Sequence, residues 1–360
     1  MEILKTAELQ DFFDDECVTA MQKKITRLDR APSHTAVIYP IPLWNSLALL
    51  LTLPDGMKYI SVPVESDRLG RTVTQFRKSL QSRWYYGFWK DAMLLYDWMI
   101  RPVETILADK QIDTLVIAPD SVLRMIPFAA LHDGEHFLIE KYAIATVPAL
   151  TLTDSRQTGP EEASVLLSGL SQARENFSPL PNVPVELRNI REIMGGTLLQ
   201  DESYTIDNLT SEFRNKPHTI VHIATHGHFG GSPKETFLLA YDGRLNMDHL
   251  ERLISIGRFR DRQVELLTLS ACQTAVGDDR AALGLAGIAV KAGARSAMAS
   301  LWLVDDEATS VMISEFYRSF KAPDISKAKA LQNAQKGLIV QKKYQHPIYW
   351  APFMLIGNWL

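Results

Sequence analysis

Two short stretches decide the reading of this chain: "TIVHIATHG" (219–227) and "VELLTLSAC" (264–272). Each is a continuous apolar run that stops on a reactive side chain, His226 in the first and Cys272 in the second. Apolar runs of this length, bounded by polar or glycine-containing turns, fit strands of a parallel sheet covered on both faces. In such sheets, chemistry gathers at the carboxyl ends of the strands. His226 and Cys272 are therefore expected at one edge of one sheet.

The same alternation extends outward. "SVLLSGL" (164–170), "SAMASLWLV" (296–304) and "APFMLIG" (351–357) read as further strands. Between them "VELRNIREIMGG" (185–196), "TIDNLTSEFRN" (205–215), "GLAGIAVKAGA" (284–294) and "DEATSVMISEFYRSF" (306–320) read as helices. Toward the N-terminus, "TAVIYP" (35–40), "SLALLLTLP" (46–54) and "KYISVPV" (58–64) read as strands, the last two joined by the turn Pro54-Asp55-Gly56. A long helical region is expected over 66–108, then strands at "DTLVIAPD" (113–120) and "EKYAIATVPAL" (140–150). The seven aromatics of 83–102 are expected mostly in the core. The polar stretch "TDSRQTGPEEA" (153–163) marks a boundary. We thus expect a helix and linker over 1–34, a smaller domain over 35–155 and a larger α/β domain over 156–360.

Composition removes several function classes. The chain has 360 residues, 46% hydrophobic and 22% charged, as in an ordinary globular protein. A formal net charge of −4 argues against nucleic acid as a direct partner, because phosphate binding needs clustered positive charge. The two cysteines, Cys17 and Cys272, cannot build a disulfide framework, which fits a reducing compartment. "MEILKTAELQDFFDDE" has no basic start followed by an apolar block, and no apolar run is long enough to span a bilayer. The expectation is a cytoplasmic protein that does not enter membranes.

Three histidines, His222, His226 and His228, crowd the first stretch. On an extended strand His222 and His226 lie about 13 Å apart, too far to share one ion. Two histidines and one thiolate do not make a closed structural zinc site, so no metal is expected. His222, inside "IVHIAT", reads as a core histidine hydrogen-bonded to a neighbour, and His228 is left without a role. Cys272 closes its strand before the polar turn "QTAVGDD". Packing does not require a thiol there, whereas presentation of a thiolate does. Cysteine attacks as the thiolate, and a nearby imidazole generates it at neutral pH. Gly227 lets a substrate carbonyl approach the backbone, and its N–H with that of Cys272 would form an oxyanion hole.

The segments "VHIATHGHFG" (221–230), "LLTLSACQTAVGDD" (266–279), "GLAGIAVKAGARSAMASLWLVDDEAT" (284–309) and "HPIYWAPFMLIGN" (346–358) together resemble the CHAT family. These are caspase-like, separase-related cysteine peptidases often attached to tetratricopeptide repeats. The 46 positions from His226 to Cys272 are also close to the caspase separation. "LVIAPDSVLRMIPFAALHDGEHFLIEKYAIATVPALTL" (115–152) and "LPNVPVELRNI" (180–190) extend the resemblance over about 35–360. It implies a caspase-like three-layer α/β sandwich with a mostly parallel sheet, preceded over 35–155 by a caspase-like pseudo-domain. It implies His226 and Cys272 as the catalytic dyad, Gly227 and Cys272 as the oxyanion hole, and no cofactor. By position in "LWLVDDEAT" (301–309), Asp306, with Asp305 beside it, matches a carboxylate that selects a basic P1 residue. The bland alternative is that both acids simply open a helix. The implied partners are a protein substrate and a regulatory protein or repeat domain. A catalytically silent scaffold of the same fold is the alternative function, and an acyl transferase or deamidase using the same thiolate a more distant one.

Overall fold

The computed structural model describes residues 2–13, 31–83, 87–153, 163–230, 232, 235–258, 263–270, 272–274, 287 and 291–360. Expectations for Cys17, the helix at 284–294 and the polar turn that follows Cys272 fall largely or wholly outside these residues.

The first half begins with helix Glu2–Phe13, then an antiparallel meander of β1 (Thr35–Pro42), β2 (Leu47–Leu53) and β3 (Gly56–Val62). The turn before β3 places Gly56 at φ +135°, a conformation that favours glycine. β4 (Thr114–Ile117) and β5 (Ala143–Thr146) add parallel to β1 and to each other. In place of one long helix over 66–108 there are two helices, Ser66–Leu80 and Phe88–Met99, then a 3-10 turn Arg101–Val103 and the short helix Glu104–Asp109. Pro102 lies in that turn, where its missing N–H costs least. Phe88, Tyr96 and Trp98 of the aromatic segment are buried and Trp89 packs against the core, while 84–86 lie outside the described residues.

The second half supplies β6 (Val165–Gly169), β7 (Thr197–Gln200) and β8 (Ile220–Ala224). After them come the short strands β9 (Gly227–Phe229), β10 (Phe237–Leu239) and β11 (Arg244–Asn246). Then follow β12 (Leu266–Leu269), β13 (Cys272–Thr274), β14 (Ser296–Ser300) and β15 (Phe353–Gly357). One 11-stranded sheet runs β3-β2-β1-β4-β5-β15-β14-β12-β8-β6-β7. All its pairings are parallel except β1 with β2, β2 with β3, and β14 with β15. The strands before and after the expected boundary at 155 occupy opposite ends of this sheet and meet where Ile356 pairs with Thr146. A smaller four-stranded sheet, β11-β10-β9-β13, stands at the carboxyl ends of β8 and β12.

Central strands β5, β6, β8, β12 and β14 are buried along their whole length, as their continuous apolar runs require, whereas edge strand β3 is mostly exposed. Helix Val183–Met194 lies directly on β6. A Cβ on Gly169 would come within 2.8 Å of Val183 Cγ1, Leu187 Cδ1 and the Ala224 carbonyl oxygen. Helix Asp306–Phe320 packs beside it and against Lys327–Ile339. Among the described residues no helix is long and apolar enough to cross a membrane.

Candidate active site

β8 ends at Ala224, and the chain turns through Thr225 and His226 into β9. The turn is fixed by two bonds to β10: Thr225 Oγ1 donates to the Leu239 carbonyl at 2.6 Å, and Leu239 N–H donates to the His226 carbonyl at 2.8 Å. β12 ends at Leu269, and the chain re-forms a strand at Cys272. β13 then runs parallel to β9, with Cys272 opposite Gly227, Gln273 opposite His228 and Thr274 opposite Phe229. Neighbouring strands lie about 4.8 Å apart. Two chain positions 45 apart in sequence (227 and 272) therefore become backbone neighbours, one residue beyond His226.

His226 is half-buried and held from the loop 171–182. Its Nε2 lies 2.8 Å from the Ser178 carbonyl oxygen. A carbonyl can only accept, so Nε2 carries the hydrogen and Nδ1 keeps its lone pair. The Phe177 ring stacks on the imidazole, centroids 4.9 Å apart and planes 29° apart. The loop is closed by Leu180 N–H donating to the Ser171 carbonyl at 2.9 Å. Asp201 pins its start, accepting from Ser171 N at 2.7 Å and Ser171 Oγ at 2.9 Å. Burial alone would raise the Asp201 pKa, but hydrogen bonds from Gln200, Ser171 and Gln172 outweigh it and hold the carboxyl below its ordinary value. On the other side the loop meets the small sheet through the Glu175–Arg244 ion pair at 2.7 Å and Arg174 stacked over Tyr241.

His222 is fully buried, with Nε2 2.8 Å from Glu186 Oε1. Half-buried His228 faces Phe237, its strand partner in β10, at 6.0 Å between ring centroids. Among the described residues no group of three or more His, Cys, Asp or Glu side chains is placed to hold a metal ion.

The two acids after β14 have different surroundings. Asp305 is the N-cap of helix Asp306–Phe320, its Oδ1 accepting from Ala308 N at 3.1 Å. Asp306 reaches sideways: its Oδ2 accepts from Asn182 N at 2.7 Å and Asn182 Nδ2 at 3.0 Å. Asn182 is itself the N-cap of helix Val183–Met194, but its side chain serves Asp306 and caps nothing. Burial pushes the Asp306 carboxyl above its ordinary pKa; the Asn182 bonds pull the other way, and the charges of Glu186 and Asp305 add to the rise. The segment leading to these acids is anchored by the first half, where buried Arg77 donates through Nη2 to the Leu301 carbonyl at 3.0 Å.

Reasoning from sequence did not single out Phe177, Ser178, Asn182 or Glu186. The available signal was the proline-flanked loop "FSPLPN" (177–182) directly before an amphipathic helix.

A large, mostly parallel sheet carrying helices, with a small second sheet over its carboxyl edge, defines a caspase-like α/β protein. Its fold is similar to that of the Saccharomyces cerevisiae separase–securin complex structure, with a TM-score of 0.55, 11% identity, and coverage of 95% of this chain and 31% of that one. It is also similar to the Arg-specific cysteine proteinase gingipain R, with a TM-score of 0.50, 11% identity, and coverage of 81% and 74%. The CHAT domain model matches residues 90–358, and the chain belongs to that family. Tetratricopeptide repeat protein 28 of Homo sapiens is 25% identical over 323 residues, and that of Mus musculus 25% over 324. The match covers 73% of this chain, but the chain spans only 13% of the length of those relatives.

Proposed function

We propose that the protein is a cysteine endopeptidase acting through a His226–Cys272 dyad. The observation that carries this reading is the pairing of Cys272 with Gly227, next to a histidine whose Nε2–H is occupied by Ser178. That tautomer leaves Nδ1 as the base. Nδ1 takes the thiol proton, and the thiolate attacks the scissile carbonyl. The N–H groups of Gly227 and Cys272 stabilise the tetrahedral oxyanion. The imidazolium then protonates the leaving amine, and a water deprotonated by His226 releases the acyl group. The imidazole is oriented by a backbone carbonyl, so the reaction needs no third side chain and no cofactor.

For specificity we assign a basic P1 residue to Asp306. Oδ2 is oriented by Asn182, and Oδ1 accepts the substrate guanidinium or ammonium. Asp305, engaged as a helix cap, adds negative potential only. The relatives named for tetratricopeptide repeats support control by a repeat segment or a regulatory protein. We place the reaction in the cytoplasm.

Active-site labelling tests the reading. A peptidyl chloromethyl ketone with P1 Arg should alkylate Cys272 faster than one with P1 Leu, and His226→Ala should abolish both. Absence of labelling by either reagent, across pH and with candidate partners, would instead identify a silent scaffold.

A further inference from the structure

Beneath the two strand ends lies a polar network enclosed in the core. Glu186 is 1% exposed, and its Oε1 accepts from His222 Nε2 at 2.8 Å and from Ser270 Oγ at 2.6 Å. Tyr317 OH lies 3.4 Å from His222 Nδ1, and Thr268 Oγ1 lies 2.9 Å from Tyr317 OH. One proton arrangement satisfies every member: Thr268 donates to Tyr317, Tyr317 to His222 Nδ1, and His222 Nε2–H and Ser270 O–H both to Glu186.

The placement of these residues is the informative part. His222 lies on β8, four positions before His226, and Ser270 follows β12, two positions before Cys272. One carboxylate oxygen thus ties together the strands that deliver both members of the dyad. The carboxylate comes from helix Val183–Met194, whose lead-in supplies the Ser178 carbonyl to His226 and whose N-cap Asn182 holds Asp306. Residues 177–186 therefore touch His226, both strand ends and the P1 carboxylate. Buried ionisable pairs contribute poorly to stability compared with apolar groups of the same size. Breaking one by removing a partner is costly, so the network holds a defined spacing.

We propose that Glu186 is a positioning residue that sets the separation of His226 and Cys272 by clamping β8 and β12 through His222 and Ser270. This rests on reading His226 and Cys272 as the dyad. Backbone pairing holds β8 and β12 together as far as Ile223 and Leu269. Without the clamp it is the segments beyond them, which carry His226 and Cys272, that shift, and the imidazole no longer stabilises the thiolate. A misplacement of about 1 Å at a reacting pair costs on the order of a hundredfold in rate.

Iodoacetamide reports this directly, with alkylation followed on the Cys272 peptide by mass spectrometry as a function of pH. In the native chain the midpoint should lie below the free-thiol value of about 8.5, and His226→Ala should return it there. Glu186→Leu should move the midpoint toward that of His226→Ala and slow alkylation at neutral pH roughly tenfold or more. Glu186→Gln, which keeps an acceptor oxygen, should recover part of that loss, and Ser270→Ala should fall between. Folding of each variant is checked by circular dichroism, and if Glu186→Leu does not fold, Ser270→Ala decides. Folded variants with the native midpoint would overturn the clamp and leave the dyad standing. A native midpoint equal to that of His226→Ala would overturn the dyad and the clamp with it.

Discussion

The Nε2–H of His226 donates to the carbonyl oxygen of Ser178 at 2.8 Å, so a backbone group in a 12-residue loop (171–182) holds the ring of the proposed base. Ser178 precedes Pro179, and a residue before proline is restricted to extended backbone angles. That restriction keeps the Ser178 carbonyl aimed at the imidazole. Pro179→Gly should lower kcat about tenfold with little change in KM, because the base is disordered while substrate contacts persist. Steady-state kinetics on a fluorogenic peptide, with a thermal melt to confirm folding, provides the check. A parallel rise in KM would place the loop in substrate binding.

The Asp306 carboxyl, lifted by burial, gives the proposed P1 preference a pH signature. Cation binding needs the carboxylate, and a raised pKa keeps the proton on to higher pH than for an exposed aspartate. The kcat/KM ratio of P1-Arg to P1-Leu substrates should therefore rise as pH increases through the elevated Asp306 pKa. P1-Leu turnover itself should follow only the dyad. Asp306→Asn should flatten the ratio and bring it close to one. A ratio that does not change with pH in the native chain, or that survives Asp306→Asn, would move P1 recognition elsewhere.

The sheet and the candidate site were legible in the sequence to different degrees, for physical reasons. β8 and β12 announce themselves because burial on both faces demands continuous apolar residues, and His226 and Cys272 follow their ends by two and three positions. Strands β9, β10, β11 and β13 have three residues each, too few for any periodicity. The Cys272–Gly227 register could therefore only emerge from the folded chain. Every residue has a carbonyl, so nothing in the letter at 178 marks it as the partner of His226. Glu186 misleads more actively. An acid in the first turns of an amphipathic helix reads as solvated, yet this one is enclosed because its face lies over β6, β8 and β12. The long helical pattern over 66–108 is interrupted after Leu80 and again at Pro102, where the proline's missing N–H prevails over apolar spacing.

Lys327, buried at the start of helix Lys327–Ile339, provides a test of the scaffold independent of catalysis. Burial pulls its pKa from 10.5 down to about 8; Glu265 acts against this and Arg295 with it. Between these two values the unfolded chain holds a proton that the folded chain has released. Stability from this group therefore increases as pH rises from about 8 to 10.5, and is lowest below 8, where the buried ammonium is charged. Lys327→Met should stabilise the protein at pH 7 by up to about 3 kcal/mol, and the gain should shrink toward pH 10.5. Urea unfolding of both proteins at pH 7 and pH 10 measures it. Equal differences at the two pH values would mean that Lys327 keeps its ordinary pKa.

Gly169 connects packing to the site. It ends β6 beneath helix Val183–Met194, where a Cβ would meet Val183, Leu187 and the Ala224 carbonyl at 2.8 Å. The two side chains can yield by small shifts, but the Ala224 carbonyl belongs to β8 and is fixed by the sheet. Gly169→Ala therefore lifts the helix or parts β6 from β8. Overpacking of this kind costs about 1–3 kcal/mol. The helix carries Glu186 and Asn182, so the displacement also reaches the carboxylate between His222 and Ser270 and the bond to Asp306. Gly169→Ala should thus lower Tm and, in the fraction still folded, slow Cys272 alkylation at neutral pH. Gly243, at φ +155° with open space around it, provides the control: Gly243→Ala strains the backbone without touching the helix. Its Tm should fall while alkylation per folded molecule stays native. If both variants slow alkylation equally, the effect follows from lost stability and not from the position of the helix.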